Sequence, residues 1–128
     1  MKAVGFLKSL PIEHEESLFD ADLPDPQPLE TDLLVEVEAV SVNPADAKRR
    51  VRTAIDKPHA TPFVLGYDAV GIVKAVGDAA HGFAPGERVW YAGDANRPGS
   101  YAALQCVDHR IASKAPASAS PEDRKSVV

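Results

Sequence analysis

Two short segments hold the side chains of this chain best suited to chemistry. In Gly66-Tyr67-Asp68, a glycine turn sets a bulky phenol and a carboxylate at the mouth of an apolar, β-branched run that ends at Val76. In Asn43-Pro44-Ala45-Asp46-Ala47-Lys48, an amide, a carboxylate and an ammonium group follow closely on one another. Phenol, amide and ammonium donate hydrogen bonds and carboxylates accept them, which is the chemistry on offer here. Each residue also has a plain structural reading. Asn43 is a good helix N-cap, Asp46 a first-turn acid near the positive helix end, and Lys48 an exposed cation. Tyr67 can be a packing residue at a turn, and Asp68 a hydrogen-bonding group at the strand mouth.

The other reactive side chains are sparse. Cys106 is the only cysteine, so no intrachain disulfide and no cysteine-rich zinc site can form, in keeping with a reducing compartment. Cys106 and His109, three apart, suggest a ligand pair, but the reading preferred is a small buried hydrophobe on a strand and a loop histidine. His14, His59 and His81 fall in loops without matching partners. A net charge of −5 argues against a nucleic-acid or anionic-membrane surface, because both require clustered cations. The single basic run, Lys48-Arg49-Arg50-Val51-Arg52, reads as a solvated helix end. The N-terminal apolar run is too short for a signal-peptide core and no segment reaches membrane-spanning length, so a cytoplasmic protein is expected.

These residues must be positioned by β structure. The chain has 128 residues, 45% hydrophobic and 26% charged, enough for one domain with a core. Its 11 prolines fall where strands end. Strands are expected over Lys2–Leu7, over Leu34–Val40 with its period-two alternation, over Asp68–Val76, over Glu87–Tyr91, and over Ser100–Val107 and Arg110–Ser113. Asn43 followed by Pro44 predicts a short helix there, with basic residues towards its C-terminal end. Gly71 inside its strand leaves room for a close backbone or ligand approach. Trp90 and Tyr91 fit barrel packing with a polar edge.

Taken in order, several segments resemble one family. They are Met1-Lys2-Ala3-Val4-Gly5, Asp32-Leu33-Leu34-Val35-Glu36-Val37, Ser41-Val42-Asn43-Pro44-Ala45-Asp46, Leu65-Gly66-Tyr67-Asp68 with Gly71 and Gly77, Pro85-Gly86-Glu87-Arg88-Val89-Trp90-Tyr91-Ala92-Gly93-Asp94 and Arg97-Pro98-Gly99-Ser100. The chain resembles the N-terminal, GroES-like catalytic domain of the medium-chain dehydrogenase/reductases, and within them the zinc-type alcohol dehydrogenase-like proteins beside the quinone oxidoreductases. The resemblance implies a mainly β fold, a GroES-like, partly open β-barrel with short helices. It covers residues 1–116, and residues 117–128 read as a linker and non-matching tail. It further implies a division of labour in which a following Rossmann domain binds NADPH or NADH. The fingerprint G-x-G-x-x-G is absent here, so the main dinucleotide site is expected outside this chain.

The same resemblance bears on zinc. In the zinc-dependent members a cysteine, a histidine and a glutamate occupy the places held here by Asn43, Tyr67 and Asp68, and the hydroxyl of the proton relay corresponds to Ala45. The four-cysteine structural lobe is replaced by the short loop from Asp94 to Gly99. A catalytic zinc needs three ligands drawn from thiolate, imidazole and carboxylate. No metal is therefore expected, and the substrate must accept hydride unaided, as quinones and activated enones do.

By resemblance to quinone oxidoreductases, Asn43 approaches the nicotinamide or the substrate carbonyl, and Tyr67 lines the pocket with its hydroxyl as a donor. Asp46, Lys48 and Asp68 are the further pocket residues. The expected function is the catalytic half of an NAD(P)H-dependent reductase acting on a small molecule, inactive without its dinucleotide-binding domain. Two readings stand beside it: a stand-alone GroES-like interaction module, and a zinc alcohol dehydrogenase domain. An isolated domain of this kind would expose apolar surface, and homo-oligomers are then expected.

Overall fold

The computed structural model describes residues 1–116; the expected linker and tail lie outside the described residues. Eight strands, one α-helix and one short 3-10 turn follow in the order β1 (Lys2–Phe6), β2 (Phe19–Asp22), β3 (Asp32–Val40), α1 (Pro44–Arg52), β4 (Phe63–Val64), β5 (Asp68–Val76), β6 (Arg88–Ala92), β7 (Leu104–Asp108), the 3-10 turn His109–Ile111, and β8 (Ala112–Lys114). They form two antiparallel sheets, ordered β2-β1-β4 and β7-β3-β5-β6-β8. The sheets do not close on one another, and the fold is the mainly β, partly open GroES-like arrangement.

The core lies on the five-stranded sheet, where Leu33 and Val35 of β3 meet Ala69 and Val73 of β5, Val89 and Tyr91 of β6 and Val107 of β7. Period two delivers these residues to one face, while Glu36, Glu38 and Lys74 point to water. Asp68–Val76 forms the strand expected, and its first four residues are buried, as its unbroken apolar composition implies. Gly71 pairs with Val37, beside a register shift in β3, and a Cβ there would run into the Glu36 carbonyl. The close approach anticipated at that glycine is thus made by backbone.

Several elements depart from the sequence reading. β2 and β4 carry no alternation long enough to announce them. Ser100–Val107 is a strand only from Leu104, because Ser100 to Ala103 bridges the two sheets: Tyr101 N–H donates to Leu65, its carbonyl accepts from Val4, and Ala103 N–H donates to Lys2. Arg110 does not open a strand. The Asp108 carboxylate accepts from Arg110 N–H at 2.9 Å and closes a turn, so β8 begins at Ala112. Tyr91 is buried with its hydroxyl donating to Gln105 Oε1 at 2.7 Å, the polar edge expected of it.

Candidate functional site

The candidate residues gather where the end of β3, the start of α1, the start of β5 and the segment 99–101 converge. The chain leaves β3 at Val40, and Pro44 fixes the first helical residue, where its missing N–H costs nothing. Asn43 N–H donates to Asp46 Oδ2 at 2.9 Å, so the first-turn acid satisfies the helix entry. The Asn43 side chain turns across to β5, its Nδ2 donating to Asp68 Oδ2 at 3.0 Å and to Ser41 Oγ at 3.3 Å. Ser41 Oγ donates to the same Asp68 oxygen at 2.9 Å. Gly66, in the left-handed region at φ 109°, makes this turn possible, since a Cβ would collide with Ser100. Ser100 Oγ then donates to the Asp68 carbonyl at 3.2 Å.

Asp46 is 2% exposed. Its Oδ2 also accepts from the Tyr101 hydroxyl at 3.0 Å, while Oδ1 is buried without a partner among the described residues. Burial, and then the bond to Asp46, push the Tyr101 phenol well above its ordinary range, which keeps it a neutral donor. Asn43, Asp46 and Asp68 are therefore brought together in one corner. Tyr67 stands on the other side of the turn. It is half-buried, its hydroxyl has no partner among the described residues, and it lines a narrow recess with Arg49, Phe63, Asp94 and Arg97. Lys48 is exposed on α1 and belongs to neither group.

Sequence reasoning missed Ser41, Tyr101 and Ser100, which complete the polar corner, and Arg49, which flanks Tyr67. It also missed a cleft of ≈ 590 Å³ lined mainly by apolar groups, including Leu23, Pro26, Pro62 and Leu104. None of the five candidate residues lines this cleft; Phe63, Val64 and Arg97 are the wall it shares with the Tyr67 recess. Cys106 lies on it, but burial pushes the thiol up to about 11, away from thiolate chemistry. His109 Nδ1 sits 2.9 Å from the Thr31 carbonyl, and no group of three or more metal-ligating side chains occurs among the described residues.

The corner can be tested for zinc by its donors. The one carboxylate that matches the expected ligand positions, Asp68, has its Oδ2 taken by two hydrogen-bond donors, and its neighbours Asn43 and Tyr67 supply an amide and a phenol. This set does not fit a catalytic zinc, which requires three soft or anionic ligands around one point.

Comparison with known proteins identifies the fold and the family. Residues 29–117 match the alcohol dehydrogenase GroES-like domain. A zinc-type alcohol dehydrogenase-like protein of Staphylococcus aureus (strain COL) is 43% identical over 117 residues, 91% of this chain and 34% of that protein. Among solved structures, a Rhizobium etli CFN 42 protein provisionally assigned as a zinc-dependent alcohol dehydrogenase superposes with a TM-score of 0.91 at 46% identity, over 98% of this chain and 36% of its own. A mycobacterial protein complexed with NADPH gives 0.83 at 28% identity, over 100% and 38%. The quinone oxidoreductase of Coxiella burnetii gives 0.86 at 25%, over 99% and 40%. The chain spans about a third of the length of the curated relatives it matches. It belongs to the alcohol dehydrogenase GroES-like domain family, within the medium-chain dehydrogenase/reductase superfamily.

Proposed function

We propose that this chain is the substrate-binding domain of a zinc-independent, NAD(P)H-dependent oxidoreductase that reduces quinones or activated enones and carbonyls. The carrying observation is the Asp68 carboxylate, held by Ser41 and Asn43 at 2.9 and 3.0 Å where a metal centre would need open lone pairs. The names of its relatives, zinc-type on one side and quinone oxidoreductase on the other, leave both chemistries in the family. The donors of this chain favour the second. A nicotinamide cofactor supplies the hydride when bound, and its main site is assigned to a dinucleotide-binding domain outside this sequence.

The residues here orient and donate. Asp68 fixes the Asn43 amide plane, and Asp46 fixes the helix entry that carries Asn43, so that this amide is presented to the nicotinamide or to the substrate carbonyl. The unpartnered Tyr67 hydroxyl is the donor for the oxygen that gains charge as hydride arrives. One such preorganised donor is worth about a hundredfold in rate. Lys48 is proposed to act only as an exposed surface cation.

The test uses the protein encoded by the whole reading frame. NADPH or NADH oxidation coupled to quinone or enone reduction is expected, slowed at least tenfold in kcat/KM by Asn43→Ala and by Tyr67→Phe, with this chain alone showing no turnover. Oxidation of saturated alcohols without quinone reduction would instead establish the zinc alcohol dehydrogenase reading.

A further inference from the structure

Arg49 makes no ion pair with an acid among the described residues. It sits on α1, half-buried, with its guanidinium carbon 4.9 Å from the centre of the Phe63 ring. Its Nε is buried and has no hydrogen-bond partner among the described residues. The other buried or half-buried arginines nearby are used up: Arg50 donates to the Leu10 carbonyl at 2.6 Å, and Arg97 holds Asp32 with both arms at 2.8 and 2.7 Å. Asp94, the one acid on the recess, is exposed, makes no ion pair with Arg49, and its Oδ1 accepts from Asn96 N–H at 2.8 Å. Phe63 is itself fixed by His59, stacked on it at 5.1 Å, and by Phe6 at 5.9 Å.

A guanidinium drawn partly out of water and left unpaired is costly, and its planar fork matches a carboxylate bidentately. Arg49 and Tyr67 line the same narrow recess, whose ≈ 10 Å³ admits about one atom, so a larger anion meets the guanidinium at the recess mouth. We propose that Arg49 reads a carboxylate on the substrate, which makes the preferred substrates quinones or enones bearing an acidic group close to the reducible carbonyl. This rests on the reading of the Tyr67 recess as part of the substrate pocket. Stacking on Phe63 holds the fork in place, so little freedom is lost on binding.

The experiment compares a benzoquinone carboxylate with its methyl ester as substrates of the whole protein. The acid is expected to be preferred in kcat/KM by about tenfold or more, the range of one charge-assisted hydrogen-bond pair. Arg49→Gln is expected to bring that ratio to about one, and Arg49→Lys to retain part of it, since the charge remains and the fork is lost. An equal loss for acid and ester would overturn the proposal, placing Arg49 on the reacting oxygen or in the fold. A raised KM for NADPH with the acid-to-ester ratio intact would also overturn it, because the anion bound is then a cofactor phosphate.

Should Arg49→Gln fail to fold, benzoate titrated into the wild-type protein reads the same site without turnover. A saturable shift of the Arg49 Nε–H resonance, absent with benzamide, is expected, and no shift would refute the claim. Loss of reductase activity with the benzoate response intact would separate failure of the functional reading from failure of this one.

Discussion

Two buried carboxylates stand at opposite ends of the β3–β5 strand pair and are held in opposite ways. Asp32 opens β3 near Val76, is 1% exposed, and receives both arms of Arg97 together with Leu29 N–H at 2.9 Å. Asp68 opens β5, is 8% exposed, and is held by the neutral donors Ser41 and Asn43. Asp46 is its companion, again held by uncharged groups, Asn43 N–H and Tyr101. A bidentate guanidinium closes the first site and leaves nothing for a ligand. At the second end of the sheet neutral donors hold the carboxyl groups, and neither makes an ion pair among the described residues. That is the difference between a carboxylate that anchors a loop and one that fixes the Asn43 amide, the group proposed to meet the nicotinamide or the substrate carbonyl.

The contrast can be broken first at Arg97. Arg97→Met leaves Asp32 buried and unpaired, and is expected to cost about 3 kcal/mol in urea unfolding. Arg97 holds the Asp32 carboxyl below the usual carboxylate range, so its contribution to stability is complete above the unfolded value, about 4, and is lost as pH falls through the lowered folded value. The gap in stability between wild type and Arg97→Met should therefore narrow progressively as pH falls below about 4, and a gap that does not narrow would assign the effect to packing.

The next largest effect is expected from Asp46→Ala, which strands Asn43 N–H and the Tyr101 hydroxyl and should cost about 2 kcal/mol in the same assay. Tyr101→Phe removes only one of these bonds and should cost about 1 kcal/mol. The smallest stability change belongs to Asp68→Asn, which keeps an acceptor oxygen for Ser41 and Asn43 and should stay within about 1 kcal/mol of wild type. Its kcat with a quinone should nevertheless fall about tenfold in the whole protein, since the Asn43 amide loses its charged anchor. A variant as unstable as Arg97→Met would place Asp68 with Asp32, among the structural acids.

Much of this contrast can be read in the chain before folding, but not all of it. Asp68–Val76 and the Asn43–Pro44 helix start declare themselves because strand composition and capping are local properties. The gathering of Asn43, Asp46 and Asp68 followed from a resemblance that put them on one pocket wall. Tyr101 was illegible: its partner Asp46 lies 55 residues away, and only the crossing of the segment 99–101 between the sheets brings them together. Arg49 was hidden for a different reason. Within Lys48-Arg49-Arg50 the three cations look alike in sequence, yet the helix turns one to water, one onto Phe63 and one into the protein towards Leu10. The two-residue strand β4, which carries Phe63, offers too short a pattern to recognise.

The central claim is that the Asp68 corner works as a hydrogen-bonded site and not as a metal centre. Zinc content measured on the whole protein alongside NADPH-dependent quinone turnover, before and after exhaustive chelation, tests it most directly. The expected result is turnover that chelation leaves unchanged, with no zinc bound in proportion to protein. One zinc per chain, with activity lost on its removal and restored by its return, would contradict the account.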